Sequence, residues 1–258
     1  MIKLLDGSEW NKEELKLKMY DDSFYYGYLG KNALSSSSVK PLYKSPMAYK
    51  SYITESISNE KALREGRLFH SLLLEYETIQ KKYVFVDAST RSTKKYKEAV
   101  EENKGYEVFL EKELRSISYL ISIFESNVEA SSYLRNGVAE EPGIGELFGF
   151  PFRAKADYVT SDLIIDIKTT NSLDGWEWSA KKSWHYDMQA WIYTQIFGIQ
   201  NFLFLVIDKG TGEIGEFSVT KETLEMAGDK VELACQRYSD YFYEKTKNVN
   251  EYIRKGFL

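Results

Sequence analysis

Two neighbouring stretches of sequence decide the fold, Arg153-Ala-Lys-Ala-Asp157 and Ile164-Ile-Asp-Ile-Lys-Thr-Thr170. Successive residues of a β-strand point to opposite faces. In the second stretch Asp166 and Lys168 therefore share one face, while the isoleucines on either side of Asp166 point into the core. An acidic and a basic side chain on an apolar strand are costly unless their face opens on a cleft. The sequence therefore predicts a core strand with a polar site along one face.

The first stretch adds a second carboxylate to this site. Arg153, Lys155 and Asp157 share one face of their strand, and a hairpin between the two strands would bring Asp157 near Asp166. Two close carboxylates repel each other unless a cation lies between them, and a hard divalent ion takes such oxygens. This geometry suits metal-assisted phosphodiester hydrolysis, in which Lys168 orients or deprotonates the attacking water or neutralises charge in the transition state. The alternative is a surface hairpin with an ordinary Asp–Lys ion pair.

Composition excludes several classes of protein. The 258 residues include 20 Tyr, 14 Phe and 5 Trp, too many large apolar rings for a disordered chain. The single cysteine, Cys235, excludes a disulfide scaffold and any zinc or iron–sulfur site built only from cysteines of one chain. The formal net charge of −5 argues against coating nucleic acid by bulk charge, although not against gripping it in a local channel.

Two further observations concern the membrane and the compartment. The longest uninterrupted apolar stretch, residues 202–207, is too short to span a bilayer. The N-terminus, Met1-Ile-Lys-Leu-Leu-Asp6, meets charged residues before a signal-type apolar region develops. We therefore expect a cytoplasmic protein with no membrane partner.

The apolar pattern predicts a single α/β domain over residues 1–258, a central mixed β-sheet flanked by helices. Residues 1–135 form a mainly helical N-terminal part and residues 136–258 a sheet-centred core. One helix, with Pro41 in its first turn, follows an N-cap in the serine run at 35–38. The predicted helices are 38–52, 60–75, 92–103, 109–134, 172–181, 185–197 and a long C-terminal one capped by Thr220. The predicted strands are 83–86, 138–141, 146–148, 152–159, 163–169, 202–207 and 213–219.

Four motifs stand in an order that is typical of one nuclease superfamily. Asp157, followed nine residues later by Asp166-Ile-Lys168, resembles the PD-(D/E)XK signature, although Ala156 stands where the naming proline would be. Gln189-Ala-Trp-Ile-Tyr193 resembles the Gln-x-x-x-Tyr motif of the RecB-like branch, and Gly66-Arg-Leu-Phe-His70 resembles that branch's Gly-x-x-x-His helix. The stretch from Ser36 to Pro46 resembles the start of RecE-type (exonuclease VIII-like) phage recombination nucleases. The lone cysteine separates the chain from branch members that carry a four-cysteine iron–sulfur cluster.

The resemblance implies a restriction-endonuclease-like core and a set of site residues. Mg²⁺ is the implied cofactor, or Mn²⁺, which a nitrogen ligand favours. Glu141 is the immediate neighbour of Glu140 and would face the other way, so the choice between the two stays open. His185 is equally compatible with a DNA contact and with packing. The implied metal ligands are His70, Glu140, Asp157, Asp166 and the Ile167 carbonyl, with Lys168 activating the water and Gln189 and Tyr193 supporting the phosphate.

The resemblance also implies a substrate and partners. RecE-type enzymes degrade linear double-stranded DNA from its ends. The resemblance therefore implies 5′ to 3′ digestion of such DNA, a homo-oligomeric ring and a single-strand annealing protein as partner. The candidate DNA-binding residues are Arg153 and Lys155 beside the site and the pair Lys181 and Lys182 between two motifs. The alternatives are a structure-specific endonuclease of the same superfamily and a non-catalytic DNA-binding protein on the same fold.

Overall fold

The computed structural model of the protein describes residues 1–54 and 60–254, with only the backbone described for residues 60–62. A five-stranded sheet has the order β5-β6-β7-β8-β9, and two small sheets, β1-β2 and β3-β4, lie in the N-terminal part. The strands are β1 Ile2–Lys3, β2 Glu9–Trp10, β3 Tyr83–Val86, β4 Glu107–Leu110, β5 Val138–Leu147, β6 Phe150–Val159, β7 Leu163–Thr170, β8 Asn201–Asp208 and β9 Ile214–Ser218.

Helices surround the larger sheet and fill most of the N-terminal part. They are α1 Lys12–Lys18, α2 Leu29–Asn32, α3 Ser36–Lys44, α4 Pro46–Thr54, α5 Glu60–Leu74, α6 Ile79–Lys82, α7 Lys94–Glu102, α8 Glu111–Ser126, α9 Val128–Tyr133, α10 Trp176–Lys182, α11 Tyr186–Phe197 and α12 Lys221–Tyr238. Short π- and 3₁₀-helical turns are added at Ser23–Tyr28, Tyr76–Thr78, Ser239–Tyr243 and Val249–Glu251.

The larger sheet is mixed, as predicted. Strands β7 and β8 run parallel, and the other neighbouring pairs are antiparallel. The continuous apolar run of β8 is explained by burial on both faces. Phe202, Phe204 and Val206 pack with α11 and α12 on one face, and Leu203 and Leu205 pack with α5 and α8 on the other.

The hairpin of β6 and β7 is short, and this opens the site. Only Tyr158 pairs with Ile165 and Val159 with Ile164 before the two strands separate. Beyond that point the backbone of β7 is free to bond to side chains, and Asp157 faces this gap.

Several predicted elements differ from the structure, each for a local reason. The helix predicted over 38–52 is two helices, because Ser45 precedes Pro46 and takes an extended backbone that a pre-proline residue favours. Pro41 is the sixth residue of α3 rather than part of its first turn. β5 is one strand rather than two, and it tolerates Pro142 because an edge strand has one unpaired side. The helix predicted over 109–134 begins only after β4, a short strand that pairs in parallel with β3.

No helix in the described part of the chain combines the length and the apolar character that crossing a membrane requires.

Candidate active site

Two acidic residues face each other across β5 and β6. The register pairs Ala139 with Tyr158 and Glu141 with Ala156, so Glu140 and Asp157 stand opposite each other. Glu140 has a φ of 50°, a left-handed conformation that is uncommon for a residue with a side chain. Such strained positions persist only where the surroundings hold them, and they cluster at functional sites.

A histidine from α5 completes this group. His70 Nδ1 lies 3.4 Å from Asp157 Oδ1, and His70 Nε2 donates a hydrogen bond to the Ile167 carbonyl at 2.8 Å. One ligand atom each from His70, Glu140 and Asp157 lies within 4.8 Å of the others. The imidazole therefore joins α5, β6 and β7 at one point.

The backbone of β7 holds Asp157 from the other side. Asp157 Oδ2 accepts a hydrogen bond of 2.6 Å from the Ile167 amide. Tyr193 donates to the carbonyl of Lys155 at 3.0 Å, which ties α11 to β6 two residues before Asp157. Tyr193 is thus bonded to the backbone of the strand that carries Asp157, rather than to the carboxylate itself.

Asp166 and Lys168 form the second half of the site. Asp166 is 1% exposed, and its Oδ2 forms an ion pair with Lys168 Nζ. Its Oδ1 accepts a hydrogen bond of 2.5 Å from Gln189 Nε2, and Gln189 is itself buried. Gln189 therefore fixes the carboxylate that in turn fixes the lysine.

The charges of the first half shift one another's pKa values. Burial opposes the charged form of His70, but the Asp157 carboxylate outweighs this effect and raises the pKa of His70 to about 9. Burial likewise opposes ionisation of Asp157, yet His70 lowers the pKa of that carboxyl overall. Burial and the charge of Asp157 raise the pKa of Glu140 to about 7, although His70 opposes them. The single positive charge of His70 therefore does not fully neutralise the Glu140 and Asp157 carboxyl groups.

In the second half, burial raises the pKa of Asp166 although Lys168 opposes the shift. Burial would lower the pKa of Lys168, but Asp166 and Asp157 outweigh it and the pKa is raised. Lys168 is therefore an ammonium in this arrangement, suited to neutralising negative charge beside the carboxylates.

The donor set fits a hard or borderline divalent cation. Carboxylate and carbonyl oxygens are ligands of Mg²⁺ and Mn²⁺, and an imidazole nitrogen is acceptable to Mn²⁺. The crowding of Glu140 against Asp157 is the electrostatic deficit that such a cation would remove. The residues grouped for it are His70, Glu140 and Asp157, with the Ile167 carbonyl beside them. Asp166 lies beside this group, bonded to Lys168 and Gln189.

The structure separates the two adjacent glutamates. Glu140 lies with the ligand group, while Glu141 accepts a hydrogen bond from Tyr20 at 2.7 Å and pairs with Lys16 at 2.6 Å. The buried ring of His185 packs edge-on against Tyr43 with centroids 5.1 Å apart. Burial and the nearby Lys230 lower the pKa of His185, and a DNA contact for this side chain stays a prediction.

The four candidate DNA-binding residues fall into two pairs. Lys155 Nζ pairs with Asp22 at 2.7 Å, its side chain is 11% exposed, and the Arg153 guanidinium lies 4.4 Å from the centre of the Tyr25 ring. These two charges hold the N-terminal segment against β6, and a DNA contact for them stays a prediction that competes with this packing. Lys181 and Lys182 are exposed on α10, where Lys181 also donates to a threonine of α12, and a DNA contact for them remains a prediction.

One aromatic ring at the site was not singled out from the sequence. Tyr186 begins α11, and the Lys168 ammonium lies 5.2 Å from the centre of its ring. Its position three residues before Gln189 is the only sequence signal, since residues three apart share a helical face.

Comparison with known proteins gives one family and one fold. Residues 35–253 match the family DUF3799, described as a PDDEXK-like domain of unknown function. A crystal structure from Eubacterium rectale, of a protein described as a candidate exonuclease, is similar with a TM-score of 0.67 at 17% identity, covering 98% of this chain and 97% of that chain. This similarity shows the fold. A structure of SSO0001 is also 17% identical and covers 65% of this chain and 85% of that chain, but its TM-score of 0.31 supports no inference. A search of curated proteins finds no match.

Proposed function

The chain belongs to the DUF3799 family of PDDEXK-like domains, and on this basis we propose that it is a metal-dependent nuclease that hydrolyses the phosphodiester bonds of DNA. One arrangement supports the proposal most strongly. The ligand atoms of His70, Glu140 and Asp157 converge within 4.8 Å of one another, beside a lysine that a buried aspartate holds. A packing role alone does not require five ionisable groups, one of them a strained glutamate, to lie together.

His70, Glu140 and Asp157 would hold the cation, with the Ile167 carbonyl as a further ligand. Binding would displace the Nδ1 proton of the His70 imidazolium to solvent, because only a deprotonated nitrogen can ligate a metal. A divalent cation bound there supplies the positive charge that polarises a scissile phosphate and activates a water. His70 joins Asp157 to the carbonyl of β7, so the ligands are fixed before a substrate arrives. Asp166 could also join these ligands, because each of its oxygens keeps a further lone pair beside its bond to Lys168 or Gln189.

Lys168 would act on the phosphate rather than on the cation. Its ammonium is anchored by Asp166 and its side chain is 20% exposed, so it can neutralise charge that develops on the phosphate oxygens. Gln189 keeps Asp166 in position, and Tyr193 keeps β6 in position. Both are positioning residues in this proposal.

We further propose that the substrate is linear double-stranded DNA, digested from its ends in the 5′ to 3′ direction. The support is the resemblance to RecE-type nucleases, which begins in the serine run of α3 and continues through the His70, Asp166 and Gln189 motifs. That resemblance also supports a homo-oligomeric ring around DNA and a single-strand annealing protein as partner.

Two adjacent glutamates provide a matched test. End-labelled linear duplex and covalently closed circular DNA are incubated with wild type, Glu140→Gln or Glu141→Gln, in Mg²⁺, Mn²⁺ or EDTA. We expect wild type and Glu141→Gln to degrade only the linear substrate and only with metal. Glu140→Gln removes one ligand charge and should lower the rate by roughly 100-fold or more.

Each other result has a definite meaning. Cleavage of closed circles supports the structure-specific endonuclease, since such a substrate has no ends. DNA binding without cleavage under any metal refutes the enzyme and supports the non-catalytic alternative. Equal loss in both glutamate variants contradicts the assignment of Glu140.

A further inference from the structure

The ring of Tyr186 contacts two lysines from two different elements. Lys168 Nζ from β7 and Lys40 Nζ from α3 both lie within 5.2 Å of the ring centre. Tyr186 and Lys40 are half-buried rather than enclosed, so solvent and ligands reach them. The Tyr186 ring therefore contacts both Lys40 and Lys168, the lysine at the centre of the site.

The two lysines differ in their partners. Lys168 pairs with Asp166, whereas Lys40 has no hydrogen bond or ion pair to a carboxylate among residues 1–54 and 60–254. Burial and the charge of Lys168 lower the pKa of Lys40 to about 7, and the carboxylates of Asp166 and Asp187 do not offset this. Lys40 is therefore held beside a like charge without a neutralising partner.

A cation–π contact explains how Lys40 is held in this position. The face of a tyrosine ring attracts an ammonium group without cancelling its charge, so the charge remains available to an anion. In a partly desolvated place the attraction to an anion is stronger than at an exposed surface. An anion between the two lysines would also remove their mutual repulsion.

We propose that Lys40, held beside Lys168 on the Tyr186 ring, binds the backbone phosphate of the nucleic-acid substrate that adjoins the phosphate contacted by Lys168. This inference rests on the proposed nuclease function and adds to it a substrate-binding residue outside the metal ligands. The phosphodiester is the anionic group that every nucleotide of the substrate presents, so the contact is independent of base sequence.

Three variants test the site. Lys40→Met keeps the apolar stem and removes the charge, and Lys40→Arg keeps the charge. Lys94→Met is the control, because Lys94 is 89% exposed on α7 and pairs only with Glu98 on the same helix. For each variant we would measure KM and kcat on linear duplex with Mn²⁺, the affinity for duplex in EDTA over a range of salt, and the thermal midpoint.

We expect Lys40→Met to weaken DNA affinity and raise KM by about tenfold, the usual effect of losing one charged hydrogen bond. The slope of log affinity against log salt should fall by about one phosphate contact. The thermal midpoint should stay the same or rise, because an unpaired half-buried charge has been removed. Lys40→Arg should keep most of the affinity, and Lys94→Met should behave as wild type.

The contrary outcomes are distinct. If Lys40→Met keeps the affinity, the KM and the salt slope of wild type while wild type cleaves DNA, the phosphate site is wrong and the proposed function stands. If both Lys40 variants lower the thermal midpoint and lose affinity alike, Lys40 is a packing residue. If wild type neither binds nor cleaves DNA, the proposed function fails, and this site fails with it.

Discussion

Replacing Lys168 by methionine should destabilise the fold as well as stop cleavage. Asp166 is 1% exposed, and its only cation partner among the described residues is Lys168. Methionine has a similar length and no charge, so it leaves a buried carboxylate that depends on Gln189 alone.

The size of this loss follows from the burial of the two partners. Removing one partner of a buried ion pair costs about 3–5 kcal/mol, and we take about 3 kcal/mol because the Lys168 side chain is 20% exposed. Asp166→Asn should cost only about 1 kcal/mol, since the new carboxamide still accepts from Gln189 and the Lys168 ammonium still reaches water.

The double variant isolates the interaction energy between Asp166 and Lys168. With Asp166→Asn and Lys168→Met together, no unpaired charge is left, so the double variant should be about 2 kcal/mol more stable than the two single losses predict. The assay is equilibrium urea unfolding of the wild type, the two single variants and the double variant, in EDTA.

The pH dependence gives an independent check of the same cause. Burial raises the pKa of Asp166 even with Lys168 present, and removing Lys168 raises it further. In the folded variant the Asp166 carboxyl then keeps its proton to a higher pH than in the unfolded chain, where the pKa of aspartate is about 4. The stability of the variant therefore falls as the pH rises from the unfolded pKa to the folded pKa. The loss caused by Lys168→Met should therefore shrink toward pH 4.

Additive behaviour would refute this reasoning. One refuting result is that the losses in unfolding free energy of the two single variants sum to that of the double variant within about 0.5 kcal/mol. The other is that Lys168→Met costs no more unfolding free energy at neutral pH than a surface lysine substitution. In either case the ion pair does not stabilise the buried Asp166 carboxylate. Loss of cleavage in Lys168→Met is then a catalytic effect only.

Three further predictions concern neighbouring positions. A Cβ at Gly66 would meet no atom within 4 Å, so Gly66→Ala should raise the free energy of unfolding by about 1 kcal/mol. It should also weaken cleavage if DNA approaches this turn of α5, and unchanged cleavage would exclude that approach. Tyr193→Phe removes the hydrogen bond to the Lys155 carbonyl and should lower the free energy of unfolding in urea by about 1 kcal/mol. The cleavage rate should fall by less than tenfold, and a far larger fall would indicate that Tyr193 contacts the phosphate. Mn²⁺ at about 100 times its Kd should raise the unfolding free energy of wild type by about 2.7 kcal/mol in calorimetry, and Asp157→Asn should abolish this increase. An equal increase in wild type and Asp157→Asn would show that the cation binds elsewhere.

The arrangement of the sheet could be predicted because its strands differ in burial. The run 202–207 has no polar residue, and only a strand covered on both faces needs that, whereas Asp166 and Lys168 interrupt β7 on a single face. Among the small N-terminal strands, β3 coincides with the strand predicted over 83–86, whereas β1, β2 and β4 could not be predicted. β4 has only four residues and directly precedes a helix, so its run is too short for its period to be distinguished from that of the helix.

The site was predictable where it depends on spacing along one element. Gln189 and Tyr193 share a helical face, and both reach the strands of the site. The partners of Arg153 and Lys155 were not predictable, because Tyr25 and Asp22 are more than a hundred residues away in sequence and come from a segment without a clear pattern. Alternation puts these two residues on a polar face but does not say which segment covers it.

The two aspartates of the motif look equivalent in sequence, but their surroundings make them different. Asp166 has a lysine on one oxygen and an amide on the other, so its charge is already balanced. Asp157 shares a single imidazolium with Glu140, so this half of the site keeps an excess of negative charge. We therefore expect a cation to bind first at the half made by Glu140, Asp157 and His70, while Asp166 would keep the Lys168 ammonium in place for an anionic substrate. Spacing along β6 and β7 brings both carboxylates and Lys168 to the site, but the further differences in their surroundings come from Glu140 of β5, His70 of α5 and Gln189 of α11.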